Sequence, residues 1–329
     1  MEKIFLMCTE RSGSNFITKL LDGHSKICGP STKHIMNPSL RNLHRYEPLS
    51  NELNWNEFIS DILNLFNVDF SHWQASFCFK ELKDSVKTGN VSELLNYFFE
   101  KETKINGKEI CLIKENQIYE FFPFLQTFYT GNKFIYQVRD PRDVALSWKK
   151  STSHKGGVVN SAIQWKKDQQ QFLKCYNILQ KQNDCILIKY EDLISDISNT
   201  LTSVLKFIGL KYENELLNYY KNELTNKNSK SQDSWKNLSK GVMSNNFKKF
   251  KDELSDIEIK IIEKITYHEL ILFGYESINN WSNLQDISQD DLNNFANNES
   301  LSIDYSPSIG VKENMDAKKI FYQKSVNNE

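Results

Sequence analysis

At 329 residues the chain can bury one large core, or a core plus a tail. Its 41 Lys and Arg balance 42 Asp and Glu, for a formal net charge of −1, which argues against a nucleic-acid surface. There is no apolar run of about 18 residues, so no transmembrane helix is expected, and no basic-then-apolar signal pattern stands at the start. The 6 cysteines lack C-x-x-C spacing and mostly sit in apolar runs. Reduced, buried thiols in a cytoplasmic protein are therefore expected, and a zinc site is not.

Ile4 to Met7 is an apolar run of strand length, followed by the polar turn Thr9-Glu10-Arg11-Ser12-Gly13-Ser14-Asn15. Phe16, Ile17, Leu20 and Leu21 then recur at helical spacing, so a helix is predicted to start near Gly13. A strand, a small-residue turn and a helix N-terminus together make an anion site, because free N–H groups and the positive end of the helix dipole converge there. Arg11 adds a planar fork of donors suited to phosphate or sulfate oxygens. The turn lacks the G-x-x-x-x-G-K-S/T order of a Walker A loop, and no G-x-G-x-x-G is present.

Lys26-Ile27-Cys28 reads as a second strand, and Gly29 to Thr32 turns the chain towards Lys33-His34. Chain leaving the carboxyl end of a strand in an open α/β sheet meets ligands, so His34 is a candidate for the crevice of Arg11, as well as for a packing histidine. Residues 41–75 are helical in pattern. Ala75 to Phe79 is predicted as a strand, Val91 to Lys101 as an amphipathic helix, and Glu109 to Ile113 as a strand ending in Lys114-Glu115-Asn116.

Lys133 to Val138 is rich in β-formers and follows the turn pair Gly131-Asn132. Directly after it, Asp140 and Pro141 are a good N-cap and first helical residue. This puts Arg139 at a strand's carboxyl end and Ser147 two turns into the next helix, a second phosphate-friendly corner. Cys185 to Lys189 is a further strand, ending at Tyr190-Glu191-Asp192-Leu193, and amphipathic helices are predicted over Ser198–Ile208 and Leu254–Tyr275. Residues 225–250 read as a solvated Asn/Lys-rich loop. Residues 279–329 are polar and broken by Pro307 and Gly310, which suggests a loosely packed extension.

Together these blocks resemble the sulfotransferases. Arg11-Ser12-Gly13-Ser14-Asn15-Phe16 looks like the family's 5′-phosphosulfate loop, R/K-S-G-S/T-T/S-W/F. Arg139-Asp140-Pro141-Arg142-Asp143-Val144-Ala145-Leu146-Ser147 is similar to its 3′-phosphate motif, which implies that Arg139 and Ser147 hold that phosphate. Lys114 matches the lysine of the family's K-T-H segment, and Tyr190 is similar to a tyrosine that packs near the adenine. Ser239-Lys240-Gly241 loosely matches a mobile R-K-G loop, with serine in place of arginine. The resemblance spans residues 3–278, dividing the chain into a sulfotransferase domain (1–278) and a polar C-terminal extension (279–329).

It implies an α/β three-layer sandwich, P-loop-like, with a central, mostly parallel sheet flanked by helices. It also implies transfer of a sulfuryl group from 3′-phosphoadenosine 5′-phosphosulfate (PAPS) to an acceptor hydroxyl or amine, without a metal. Arg11 and Lys114 would then supply the positive field. Asn116 replaces the histidine of the K-T-H segment, so the base is sought elsewhere, in His34 or Glu115. Sugar, lipid, peptide and small-molecule acceptors all suit the aromatic-rich segments 31–75 and 210–250. Two other readings fit a chain of this kind: a P-loop-type kinase, and a nucleotide-binding protein on the same fold that has lost its chemistry.

Overall fold

Five apolar runs form the sheet: β1 (Glu2–Cys8), β2 (Ile27–Cys28), β3 (Ile110–Lys114), β4 (Lys133–Val138) and β5 (Cys185–Lys189). All pair in parallel, in the order β2-β3-β1-β4-β5. The structure is a computed structural model that describes residues 1–324. Helices cover both faces of the sheet, and for that reason the strands are apolar throughout instead of alternating. Ile4, Leu6 and Cys8 pack on one face with Ile17, Leu20 and Leu201. Phe5 and Met7 pack on the other, in a larger cluster with Tyr136, Phe172 and Trp165.

The chain leaves β1 towards β2 on one side and leaves β4 towards β5 on the other. The loops after β1 and β4 therefore part at the centre of the sheet, which is where open α/β sheets bind their ligands. Two helices start from those loops, Ser14–Asp22 and Pro141–Lys149. The second begins as the sequence predicts: the Asp140 side chain accepts from the Arg142 N–H, and proline occupies the first turn. The 25-residue helix Gly157–Lys181 packs against it and against Asp256–Leu272.

The structure departs from the sequence reading in three places. Ala75 to Phe79 is not a strand. The Gln74 and Ala75 N–H groups donate to the Glu102 carboxylate at 3.1 and 2.7 Å in place of a ladder, and a helix begins at Phe79. Residues 225–250 are partly helical, over Glu223–Ser231 and Asp233–Ser239. The third concerns residues 281–323, which hold helices at Trp281–Gln285, Gln289–Ser302 and Ile309–Gln323 and are seated on the core.

Glu299 accepts from the Val158 N–H at 2.9 and 2.8 Å, capping the long helix, and Phe321 is fully buried against Tyr46. Gly310 does not break the chain. A Cβ there would lie 2.2 Å from the Asp69 carbonyl oxygen, so glycine is what lets this helix start against residues 69–70.

Candidate active site

The turn after β1 is held from beneath. The Ser12 hydroxyl donates to the Thr9 carbonyl at 2.7 Å, and the Gln137 amide on β4 donates to the Ser12 carbonyl at 2.8 Å. Gly13 has φ of +85°, and a Cβ there would lie 2.3 Å from the Tyr190 ring, so both the conformation and the close approach require glycine. The turn opens the helix Ser14–Asp22, whose first residues, Ser14 and Asn15, line a cavity of about 200 Å3. Asp168 sits behind it, accepting from Thr9, from the Tyr119 hydroxyl at 2.8 Å and from Gln164 at 2.7 Å. Burial outweighs these donors and pushes its carboxyl up to about 6.

The two basic corners predicted separately form one site. The Arg139 guanidinium donates to the Arg11 carbonyl at 3.1 Å and to the Asn246 carbonyl at 3.2 Å, and it stacks 4.3 Å from the centre of the Tyr190 ring. Its Nε is buried with no protein acceptor. Arg11 Nε donates to the Ser147 hydroxyl at 3.1 Å. Burial, together with the Arg139 charge, lowers the Arg11 guanidinium to about 10. Two cations held this close, with one N–H left over, suit an anion between them.

Beside Arg139 runs a narrow apolar cleft of about 60 Å3 lined by Phe16, Tyr190, Tyr219, Leu238, Gly241 and Met243. Phe16 presents its edge to Tyr219 at 5.7 Å. The loop that flanks this cleft is fastened to the Arg139 corner. The Asp143 carboxylate accepts from the Lys248 and Phe250 N–H groups at 2.6 and 3.1 Å, and the Asn246 amide donates to the Tyr190 hydroxyl at 2.8 Å. The Lys240 side chain is exposed. Its backbone carbonyl is tied to the Tyr219 hydroxyl at 2.7 Å.

On the other side of Arg11 the larger cavity holds Lys114, at the end of β3, and His34. Asn116, in the place of the family's histidine, accepts from the Lys114 ammonium at 3.1 Å and donates to Glu10. His34 has φ of +55° and turns its Nδ1 towards Glu115 Oε2, 3.5 Å away. The two candidate bases are thus neighbours, with His34 at the cavity and Glu115 behind it, but no hydrogen bond joins them and Glu115 Oε2 is buried without a partner. Burial, with Lys318 and Lys114 nearby, holds the imidazole well below its usual range. Burial raises the Glu115 carboxyl to about 7.

Sequence reasoning missed His154 and Lys318 here. His154 Nε2 lies 2.9 Å from Glu10 Oε2. Burial disfavours the Glu10 charge, but the His154 hydrogen bond and charge, with Lys114 beyond, bring it down to about 2. Nothing periodic marked residue 154, which lies in a loop. Trp235 and Lys318 also line the cavity, the latter from the helix Ile309–Gln323. The spacing of Val311, Asn314, Lys318 and Phe321 was the available signal for that helix. Of the aromatics in segments 31–75 and 210–250, Phe70 and Trp235 reach this cavity, whereas Trp55, Phe58 and Phe66 are core.

An α/β protein with a crevice lined by cationic side chains at the switch point of a parallel sheet is the class these features define. A model of the sulfotransferase family matches residues 3–214, and the chain belongs to that family. Its fold is similar to the sulfotransferase domain from the curacin biosynthetic pathway, with a TM-score of 0.56 and 17% identity, covering 84% of this chain and 98% of that one. It is also similar to the sulfotransferase domain of the Synechococcus PCC 7002 olefin synthase, with a TM-score of 0.54 and 16% identity over 81% and 94% of the two chains. No curated protein sequence matches.

Proposed function

We propose that this protein transfers a sulfuryl group from PAPS to the hydroxyl or amine of a small acceptor. The observation that carries the reading is the Arg139 guanidinium, braced by the Arg11 carbonyl and the Tyr190 ring, with its buried Nε lacking a protein partner. A 3′-phosphate would complete it, with Ser147 alongside. The cleft between Phe16, Tyr190 and Tyr219 would take the adenine, and Gly241 would close its rim. Ser12 to Phe16 with Arg11 would hold the 5′-phosphosulfate on the helix N-terminus.

In this reading the acceptor oxygen or nitrogen attacks sulfur as the bridging S–O bond to the 5′-phosphate breaks, and adenosine 3′,5′-bisphosphate (PAP) leaves. Lys114 offsets the charge that gathers on the bridging oxygen. His34, whose Nδ1 lies 3.5 Å from Glu115 Oε2, would take the acceptor proton on Nε2, and its depressed basicity keeps a lone pair free at neutral pH. Glu115 is a positioning residue for it. The six unpaired cysteines suit a reducing, cytoplasmic setting.

The test is calorimetric titration with PAP, set against ATP with magnesium. Tight PAP binding that weakens by roughly 10- to 100-fold in Arg139→Ala, with ATP much poorer, is the expected result. A preference for ATP, or no binding of PAP, overturns the reading.

A further inference from the structure

The larger cavity has walls of two origins. Arg11, Lys114, His34 and His154 lie within the region matched by the family, which ends at residue 214. Trp235, Asn314, Met315 and Lys318 lie beyond it and complete the lining, with Trp235 and Lys318 both against the Phe70 ring. On the reading above, the first wall belongs to the donor and the transfer chemistry. The second is where this chain's own choice of acceptor would be made.

Three primary cations face the cavity, and they are not equivalent. Arg11 donates to Ser147, and Lys114 donates to Asn116. Among the described residues Lys318 has neither a hydrogen-bond acceptor nor a carboxylate within ion-pairing distance, and its ammonium lies 5.9 Å from the centre of the Phe70 ring. Glu10 is already committed to His154 and Asn116. Burial lowers the Lys318 ammonium to about 8, against the pull of Glu115 and Glu10, so it keeps its charge at neutral pH. A half-buried cation without a partner is unfavourable until an anion arrives.

The donor's anionic groups have partners elsewhere: the 3′-phosphate at Arg139, and the phosphosulfate at Arg11, Lys114 and the helix N-terminus. We propose that Lys318 anchors an anionic group of the acceptor, so that the substrate class is a small hydroxyl-bearing acid, a carboxylate or a phosphate ester. The cavity volume of about 200 Å3 has room for a small acceptor. Trp235 and Phe70, whose rings meet edge to face at 5.5 Å, supply an apolar side for its carbon frame, and Asn314 supplies hydrogen bonds. Lys318 is thus a specificity residue on a helix outside the family match.

This inference rests on the donor reading, and the experiment separates the two. Wild type, Lys318→Met and Lys318→Arg are titrated first with PAP and with PAPS. The PAP-loaded proteins are then titrated with matched pairs, glycerol 3-phosphate against glycerol and lactate against lactamide. Failure of wild type to bind PAP removes the donor reading itself. The expected result is equal PAP and PAPS affinity in all three proteins. At least one acid should also bind wild type tenfold or more tightly than its neutral partner, a preference lost in Lys318→Met and kept in Lys318→Arg. Three results overturn the proposal while leaving the donor reading intact. In the first, Lys318→Met weakens PAPS but not PAP, which assigns the lysine to the sulfuryl group. In the second, the acid preference survives in Lys318→Met. In the third, PAP-loaded wild type prefers neither acid.

Discussion

Single residues in this site carry separable burdens. His34→Ala is expected to lower kcat by about 10²- to 10⁴-fold with PAP affinity unchanged, because only proton removal is lost. Glu115→Gln should cause a smaller fall and move the acid limb of the kcat profile, since the carboxylate touches the imidazole and not the cavity. In wild type that limb should lie below the usual histidine range, the direction in which burial and the two lysines displace His34. Steady-state kinetics across pH 5–8 would check both. Gly13→Ala places a methyl group 2.3 Å from the Tyr190 ring at φ of +85°. A stability loss of about 1–3 kcal/mol by urea unfolding, with PAP binding abolished, is expected. Most of these residues were legible in the sequence because each sits at a strand end followed by turn chemistry. The pairing of His34 with Glu115 was not, because it joins residues from two different loops.

At the level of elements, the strands and the helices that follow them were readable from apolar runs and caps. The exceptions have physical causes. Ala75–Phe79 has a strand's composition, but the Gln74 and Ala75 N–H groups at its start are taken by the Glu102 carboxylate, a partner that no local pattern reveals. The helix Ile309–Gln323 hides its apolar side, which consists mainly of Val311 and Phe321 with Asn314 between them. Phe321→Ala should cost about 3–5 kcal/mol in urea unfolding, since the ring is fully buried against Tyr46. Gly310→Ala drives a Cβ to 2.2 Å from the Asp69 carbonyl and should displace the helix start. Both variants should retain PAP binding on the proposed reading, because no residue of this helix lines the cleft proposed for the adenine.

For the molecule as a whole, burial sets the response to pH. Glu115 and Asp168 are raised to about 7 and about 6, and Asp143 and Glu191 are raised as well. A carboxyl with a raised folded-state pKa binds its proton more tightly folded than unfolded, so stability falls as pH climbs from the ordinary carboxyl range through the raised value. His34, held below its usual range by burial, works the other way and adds stability as pH climbs through the ordinary histidine range. Between pH 5.5 and 7.5 the urea midpoint of Glu115→Gln should therefore rise relative to that of wild type, because the variant lacks the carboxyl whose charging opposes the fold. The two chambers also draw on different lengths of chain. Every residue of the proposed donor cradle lies before Phe250, whereas the neighbouring cavity takes part of its lining from residues 311–318. The Arg139 corner is braced by later chain as well, because Arg142 donates to Glu263, and Glu191, which accepts from the Asp140 N–H, accepts also from the Tyr275 hydroxyl. A chain cut back after residue 278 would thus keep every residue of the proposed cradle with these braces, and would lose one side of the room beside it.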